Sequence, residues 1–329
     1  MGELFVSGAD LSRRFYHDEV RPLLDERHSA ALLGPGSEVL GFDTARSTDH
    51  DWGPRVQLFF TAGHRHDYDV LLTERLSADV RSAVVVTEPA KWFTGQLGFS
   101  PDGPVGTFDW LATSTQSLAE VTAGAVFHDG LDVLAPIRHR LDWYPDDVWR
   151  YVLACQWQRV SQEEAFAGRT REVGDELGSA VVAARLVRDL MRLCLLMARR
   201  YPPYGKWLGS AFARLPAAVE LAPVLRNVLV ASSWRDREQR LADAYEIVAG
   251  LHNELGLTEF VDPATRPYYG RPFQVLHAER FAAALLPTIS DETIRSLPPT
   301  GAVDQFLDST DVLQHVTRRR AVAKALFER

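Results

Sequence analysis

The chain has 329 residues, 46% of them hydrophobic and 24% charged, with a formal net charge of −8. That composition is ordinary for a globular protein, and the acidic balance argues against non-specific binding to nucleic acid. No stretch has the uninterrupted apolar length of a membrane span, and no basic region followed by an apolar run opens the sequence. A cytoplasmic protein is therefore expected. Its two cysteines, Cys155 and Cys194, sit among apolar neighbours of helical pattern and are expected as buried free thiols.

In chain order, Ser7 to Arg27 carries Phe15, Val20, Leu23 and Leu24 at roughly helical spacing and predicts a first helix. A short apolar strand follows at Ala30 to Leu33, then the turn Gly34-Pro35-Gly36-Ser37, then a second apolar strand from Val56 to Phe60. Arg65 to Leu76 reads as helical or irregular. Ser82 to Thr87 is β-branched and apolar, the pattern of a buried strand. Pro89 to Leu97 predicts a helix with proline in its first turn. The run FSPDGPVG breaks it, a short helix covers Phe108 to Leu118, and a last strand runs from Gly124 to His128.

From Trp143 onward helical periodicity dominates and strand signals vanish. Asp146 to Glu164, Asp175 to Arg200, Ala211 to Ser232, Arg235 to Leu255 and Ala278 to Leu286 all predict helices, punctuated by prolines. The expected architecture is α+β: a mixed sheet with flanking helices over residues 1–143, then an all-α helical bundle over 144–329. The two halves are expected to share an interface.

The chemistry concentrates in Leu32 to Phe60. Eleven residues beyond the glycine turn come Asp49-His50-Asp51. In an extended segment alternate side chains share a face, so both carboxylates point one way and His50 the other. Two carboxylates beside a glycine turn suit Mg²⁺ and a phosphate chain, since Mg²⁺ takes one or two carboxylates and completes its shell with water and phosphate. Gly36 lets backbone amides approach an anion, a helix N-terminus beyond the turn would add its dipole, and the Ser37 hydroxyl can donate to a phosphate oxygen.

The Gly-Ser turn, the spacer and the Asp-x-Asp segment together resemble the signature of the polymerase-beta-type nucleotidyltransferase superfamily. The segments VTAGAVFHDG, YPDDVW, YPPYGKW and VDQFLDSTDVL extend the likeness to an uncharacterised actinobacterial nucleotidyltransferase-like family with a helical C-terminal half. The resemblance implies Mg²⁺-dependent transfer of a nucleoside monophosphate from an NTP, with ATP foremost, to a small-molecule or protein acceptor. Asp49 and Asp51 would hold the metal, and the acceptor would sit between core and bundle.

The resemblance also implies an acid on the next core strand, where this chain has Val85. Glu88, at that strand's end, is the candidate third carboxylate, and Glu163 and Glu164 are candidate bases from the helical half. Arg185 and Arg188 share one face of a long apolar helix with Arg192. They either pair with Asp146, Asp175 or Asp189 or point at the phosphates. Lys206 resembles the lysine that relatives place on the triphosphate, with Tyr204 and Trp207 able to stack on a base.

For several residues the plainer reading is favoured: Asp129 as a turn cap, His64 and His66 as no zinc site, and Asp304, Asp308, Ser309 and Asp311 as caps and turns. A catalytically reduced nucleotide-binding sensor or partner protein is the alternative function, because Val85 stands where the third acid belongs.

Overall fold

The computed structural model describes residues 5–49 and 52–327. Contacts divide the chain into two compact units, residues 1–143 with 311–322, and residues 144–310 with 323–329. Asp311–Val322 thus belongs to the first unit, although its sequence follows the helical half.

Four strands form the sheet of the first unit: β1 (Ser29–Leu32), β2 (Val56–Phe59), β3 (Val84–Thr87) and β4 (Ala125–Asp129), in the order β3-β2-β1-β4. β1 is antiparallel to both β2 and β4, whereas β2 and β3 are parallel, so the sheet is mixed. Alternation along β2 assigns the two faces. Val56, Leu58 and Phe60 join Phe15, Tyr16, Val20, Tyr68 and Leu72 in one core. Phe59, on the opposite face, meets Phe93 of the helix Pro89–Leu97, ring centroids 6.4 Å apart.

The sequence places most of these elements, and the departures have local causes. The first helix covers only Gly8–Phe15, capped by the Ser7 side chain, and passes through a π turn and a 3₁₀ turn to end at Leu23, where Pro22 has tightened the backbone. The expected strand Ser82–Thr87 begins at Val84, because Ala78–Ser82 forms a helical turn. It is not fully buried: β3 is an edge strand and Val85 is 47% exposed. The single helix expected over Phe108–Leu118 is two, Thr107–Leu111 and Thr115–Thr122, with Ser114 capping the second. No regular helix follows the Gly-Ser turn; residues 37–41 form consecutive turns.

The second unit is built on helices Asp146–Glu163, Glu176–Met197 and Trp234–Glu254. Leu186, Leu190 and Leu193 are wholly buried, but Leu177 and Val181 on the first turns of the middle helix are exposed, so that helix is core-like only in its later part. The helix expected from Ala211 to Ser232 is divided into Gly205–Phe212 and Ala218–Val230, with Pro216 between them. Strands do not vanish after Trp143: Arg266–Pro267 pairs with Gln274–Val275. Trp157 stacks on Phe281 at 4.4 Å and donates its indole N–H to His252 Nδ1 at 3.1 Å. Burial holds that histidine's pKa down to about 4, so it packs as a neutral acceptor. Cys155 and Cys194 are buried free thiols.

The C-terminal helix Val316–Phe327 anchors in the first unit through a fully buried cation. Arg319 donates to the carbonyls of Gln96 (2.6 Å) and Leu313 (3.0 Å) and to Ser117 Oγ (3.0 Å). The bond to Gln96, with one to the Leu97 carbonyl at 3.4 Å, satisfies carbonyl groups at the end of helix Pro89–Leu97, which has no further turn to do so. Replacing Arg319 by Met leaves them buried without donors. The expected outcome is a loss of at least about 3 kcal/mol of unfolding free energy, read by chemical denaturation.

Candidate functional site

The antiparallel pairing of β1 and β2 brings the exit of β1 beside the entrance of β2. Gln57 on β2 locks that junction: its Oε1 accepts from the Leu33 amide at 2.9 Å and its Nε2 donates to the Leu33 carbonyl at 3.1 Å. The chain then bends through Gly34 (φ 85°) and Gly36 (φ 150°). Among the described residues, the amides of Gly36, Ser37, Glu38 and Val39 have no protein acceptor. Consecutive N–H groups without a protein acceptor favour an anion.

Glu38 and Arg55 fill the inside of the bend. Arg55, one residue before β2, bonds Glu38 Oε1 through Nε at 2.8 Å and through Nη2 at 2.7 Å, and donates from Nη2 to the Pro35 carbonyl. A Cβ on residue 36 would run into both the Glu38 carboxylate and the Arg55 guanidinium, so only glycine fits there. Sequence reasoning passed over this pair, because neither residue belongs to a recognisable spacing.

Asp49 ends a 3₁₀ turn, Ala45–Asp49, rather than lying in a strand, and β2 begins at Val56. Asp51 and His50 lie outside the described residues, so the shared face expected for the two carboxylates falls there too. Among the described residues no group of three or more His, Cys, Asp or Glu side chains could hold a metal ion. Glu88 stands at the N-cap position of helix Pro89–Leu97 and pairs with Arg65 at 3.4 Å, both about a third exposed. Val85 lies opposite Gln57 in the β2–β3 register.

In the second unit the arginine row is paired with carboxylates. Arg185 meets Glu163 at 3.0 Å, Arg188 meets Asp308 at 3.2 Å and Asp189 at 3.4 Å, and Arg192 meets Asp304 at 3.1 Å. Of the acids expected as partners only Asp189 serves. Asp175 instead caps its own helix through the Gly178 amide, and Asp146 pairs with Arg199. Lys206 is exposed, its Nζ 4.9 Å from the Trp207 ring centroid.

Asp129 accepts from Ser29 Oγ at 2.7 Å and from the amides of Val133, Leu134 and Ala135, capping the next helix. Burial alone would raise its pKa, but these bonds bring it below the usual carboxylate value. His64 and His66 are exposed. His64 borders a cavity of about 370 Å³ with Asp25, Glu26, Asp67, Tyr68 and Leu71. Ser309 and Asp311 are exposed.

Glu164 is 6% exposed and accepts from the amides of Leu276 (2.7 Å), His277 (3.1 Å) and Ala278 (3.0 Å). Both of its oxygens are engaged, so it braces the segment after the small β-pair.

Comparison with known proteins adds one partial match. The model of a family described as a domain of unknown function, DUF4037, matches residues 110–208. The match spans β4 and the first helices of the second unit but stops short of the Gly-Ser bend and the aspartate pair. No curated protein and no solved structure matches the chain.

Burial raises the Glu164 pKa from its ordinary 4.5 to about 7, against the opposing pull of the three amides and with help from Glu279. The folded chain thus holds this proton more tightly than the unfolded chain. The group's stabilising effect is complete below about pH 4.5 and lost as pH rises through about 7. Thermal or denaturant unfolding from pH 5 to 8 is expected to show a decline on the order of 3 kcal/mol from this group. The decline should flatten in Glu164→Gln.

Proposed function

We propose that the chain is a Mg²⁺-dependent nucleotidyltransferase of the polymerase-beta type, moving a nucleoside monophosphate from an NTP, with ATP the first to test, to a small-molecule or protein acceptor. The observation that supports this reading most is the bend after β1. It presents four consecutive amides without a protein acceptor, at the sheet end where the chain enters β2 shortly after Asp49 and Asp51. The amides of Gly36 to Val39 and the Ser37 hydroxyl would hold phosphate oxygens. Asp49 and Asp51, oxygen donors of the type Mg²⁺ prefers, would carry the metal. When bound, Mg²⁺ supplies neutralisation of the triphosphate charge and alignment of its reacting centre. In the transfer a bond forms between the acceptor's oxygen or nitrogen and the α-phosphorus. The bond from that phosphorus to pyrophosphate breaks, and the acceptor's proton passes to a base or to water.

One observation favours the second reading, a nucleotide-binding sensor or partner protein with reduced catalysis. Val85 occupies the strand position where the resemblance implies an acid, and Glu88 is engaged with Arg65. Arg185 and Arg188, paired with carboxylates of their own unit, have little claim on the phosphates, whereas exposed Lys206 retains one.

Thermal stability measured with each NTP, with and without Mg²⁺, together with pyrophosphate release, separates the readings. For the enzyme, Asp49→Asn and Asp51→Asn are each expected to lower release by on the order of a hundredfold or more while the melt stays near wild type. Stabilisation by an NTP without turnover favours the sensor. An absence of both binding and turnover overturns both readings.

A further inference from the structure

The bend carries a cation that no spacing rule points to. Arg55 is held by three bonds, two to Glu38 and one to the Pro35 carbonyl, which use Nε and Nη2 and fix the guanidinium plane against Gly36. Glu38 is 7% exposed, so the orienting carboxylate is buried beneath the arginine. Gly8 closes against the Glu38 methylenes, and Ser12 Oγ accepts from the Arg55 amide at 3.1 Å. The Arg55 side chain remains 30% exposed, and among the described residues its Nη1 has no protein acceptor. One edge of the guanidinium is therefore used to hold it still, while two N–H donors stay available at the bend.

From this geometry we infer that Arg55 is the phosphate-binding cation of the Gly-Ser bend and that Glu38 is its positioning residue; the inference rests on the nucleotide reading above. A guanidinium with one edge clamped by a carboxylate has lost its rotamer freedom before the ligand arrives, which lowers the ordering cost of binding. The pair is neutral as it stands, so an incoming phosphate meets no net repulsion from Glu38 and gains two charge-assisted donors beside the amides of Gly36 to Val39. The position is also economical in chain terms: Arg55 lies four residues after Asp51, so one short segment supplies both the metal-binding carboxylates and the cation for the phosphate.

The test uses inorganic tripolyphosphate, which carries the phosphate chemistry without a base or sugar. Titration calorimetry, with and without Mg²⁺, compares the wild-type chain with Arg55→Gln, Arg55→Lys and Glu38→Gln, each checked by its thermal melt. Folded Arg55→Gln is expected to bind about tenfold or more weakly, as for loss of a charge-assisted hydrogen bond. Arg55→Lys should fall between it and wild type, and Glu38→Gln should bind more weakly than wild type but better than Arg55→Gln. A second measurement needs no variant: tripolyphosphate should protect Arg55 of the wild-type chain from phenylglyoxal, read by mass spectrometry. Wild-type affinity in folded Arg55→Gln, or an Arg55 modified equally with and without tripolyphosphate that binds, overturns this inference and leaves the nucleotide reading standing. A wild-type chain that binds neither tripolyphosphate nor any NTP overturns both.

Discussion

The Gln57 side chain, 5% exposed and bonded to both the amide and the carbonyl of Leu33, is the contact on which the candidate site depends. A glutamine amide reproduces one step of a β ladder, so β1 is held to β2 beyond the last backbone pair. The bend then starts from a fixed point. Gly34 and Gly36 turn the chain where a side chain would be strained, and Arg55 reaches back across the gap to the Pro35 carbonyl. Without the Gln57 clamp, the amides of Gly36 to Val39 would belong to an ordinary mobile turn. With it, they follow directly on a buried strand end, Leu32 and Leu33.

The second unit solves a different problem. A helix with Arg185, Arg188 and Arg192 on one face carries a row of cations that runs from exposed Arg185 to largely covered Arg192, where an unpaired charge is unfavourable. Each meets a carboxylate from a distant part of the same unit, and Glu164 is likewise surrounded by three amides rather than left bare. The polar groups of this unit are thus mostly committed to holding its helices and the segment 274–278 in place. The alignment of Arg185, Arg188 and Arg192 in the sequence thus has a structural counterpart in ion pairs within the unit.

The α+β character could be read from the chain because it rests on short-range patterns. A short apolar run marks the strand expected from Val56 to Phe60 and observed at Val56–Phe59, and the helix predicted for Pro89–Leu97 agrees end to end with the one observed. The turn at Gly34 to Ser37 was legible for the same reason, since glycine and proline act on their own backbone. The candidate site was legible only in part. The sequence pointed to Gly36 and Ser37 but not to Arg55 or Glu38, and it read Asp49 as extended where a 3₁₀ turn intervenes. Short periodicity cannot separate one turn of 3₁₀ helix from extended chain when the residues are all polar, as Arg46 to Asp51 are.

By itself the sequence determined the local elements, the glycine bend and the types of group available for chemistry. Tertiary structure alone decided which charges neutralise which. Arg188 finds Asp308 across 120 positions, Arg192 finds Asp304 across 112, and Arg55 finds Glu38 across 17. Backbone preferences act between near neighbours in the chain, whereas an ion pair depends only on distance through space. Only the folded path of the chain sets that distance.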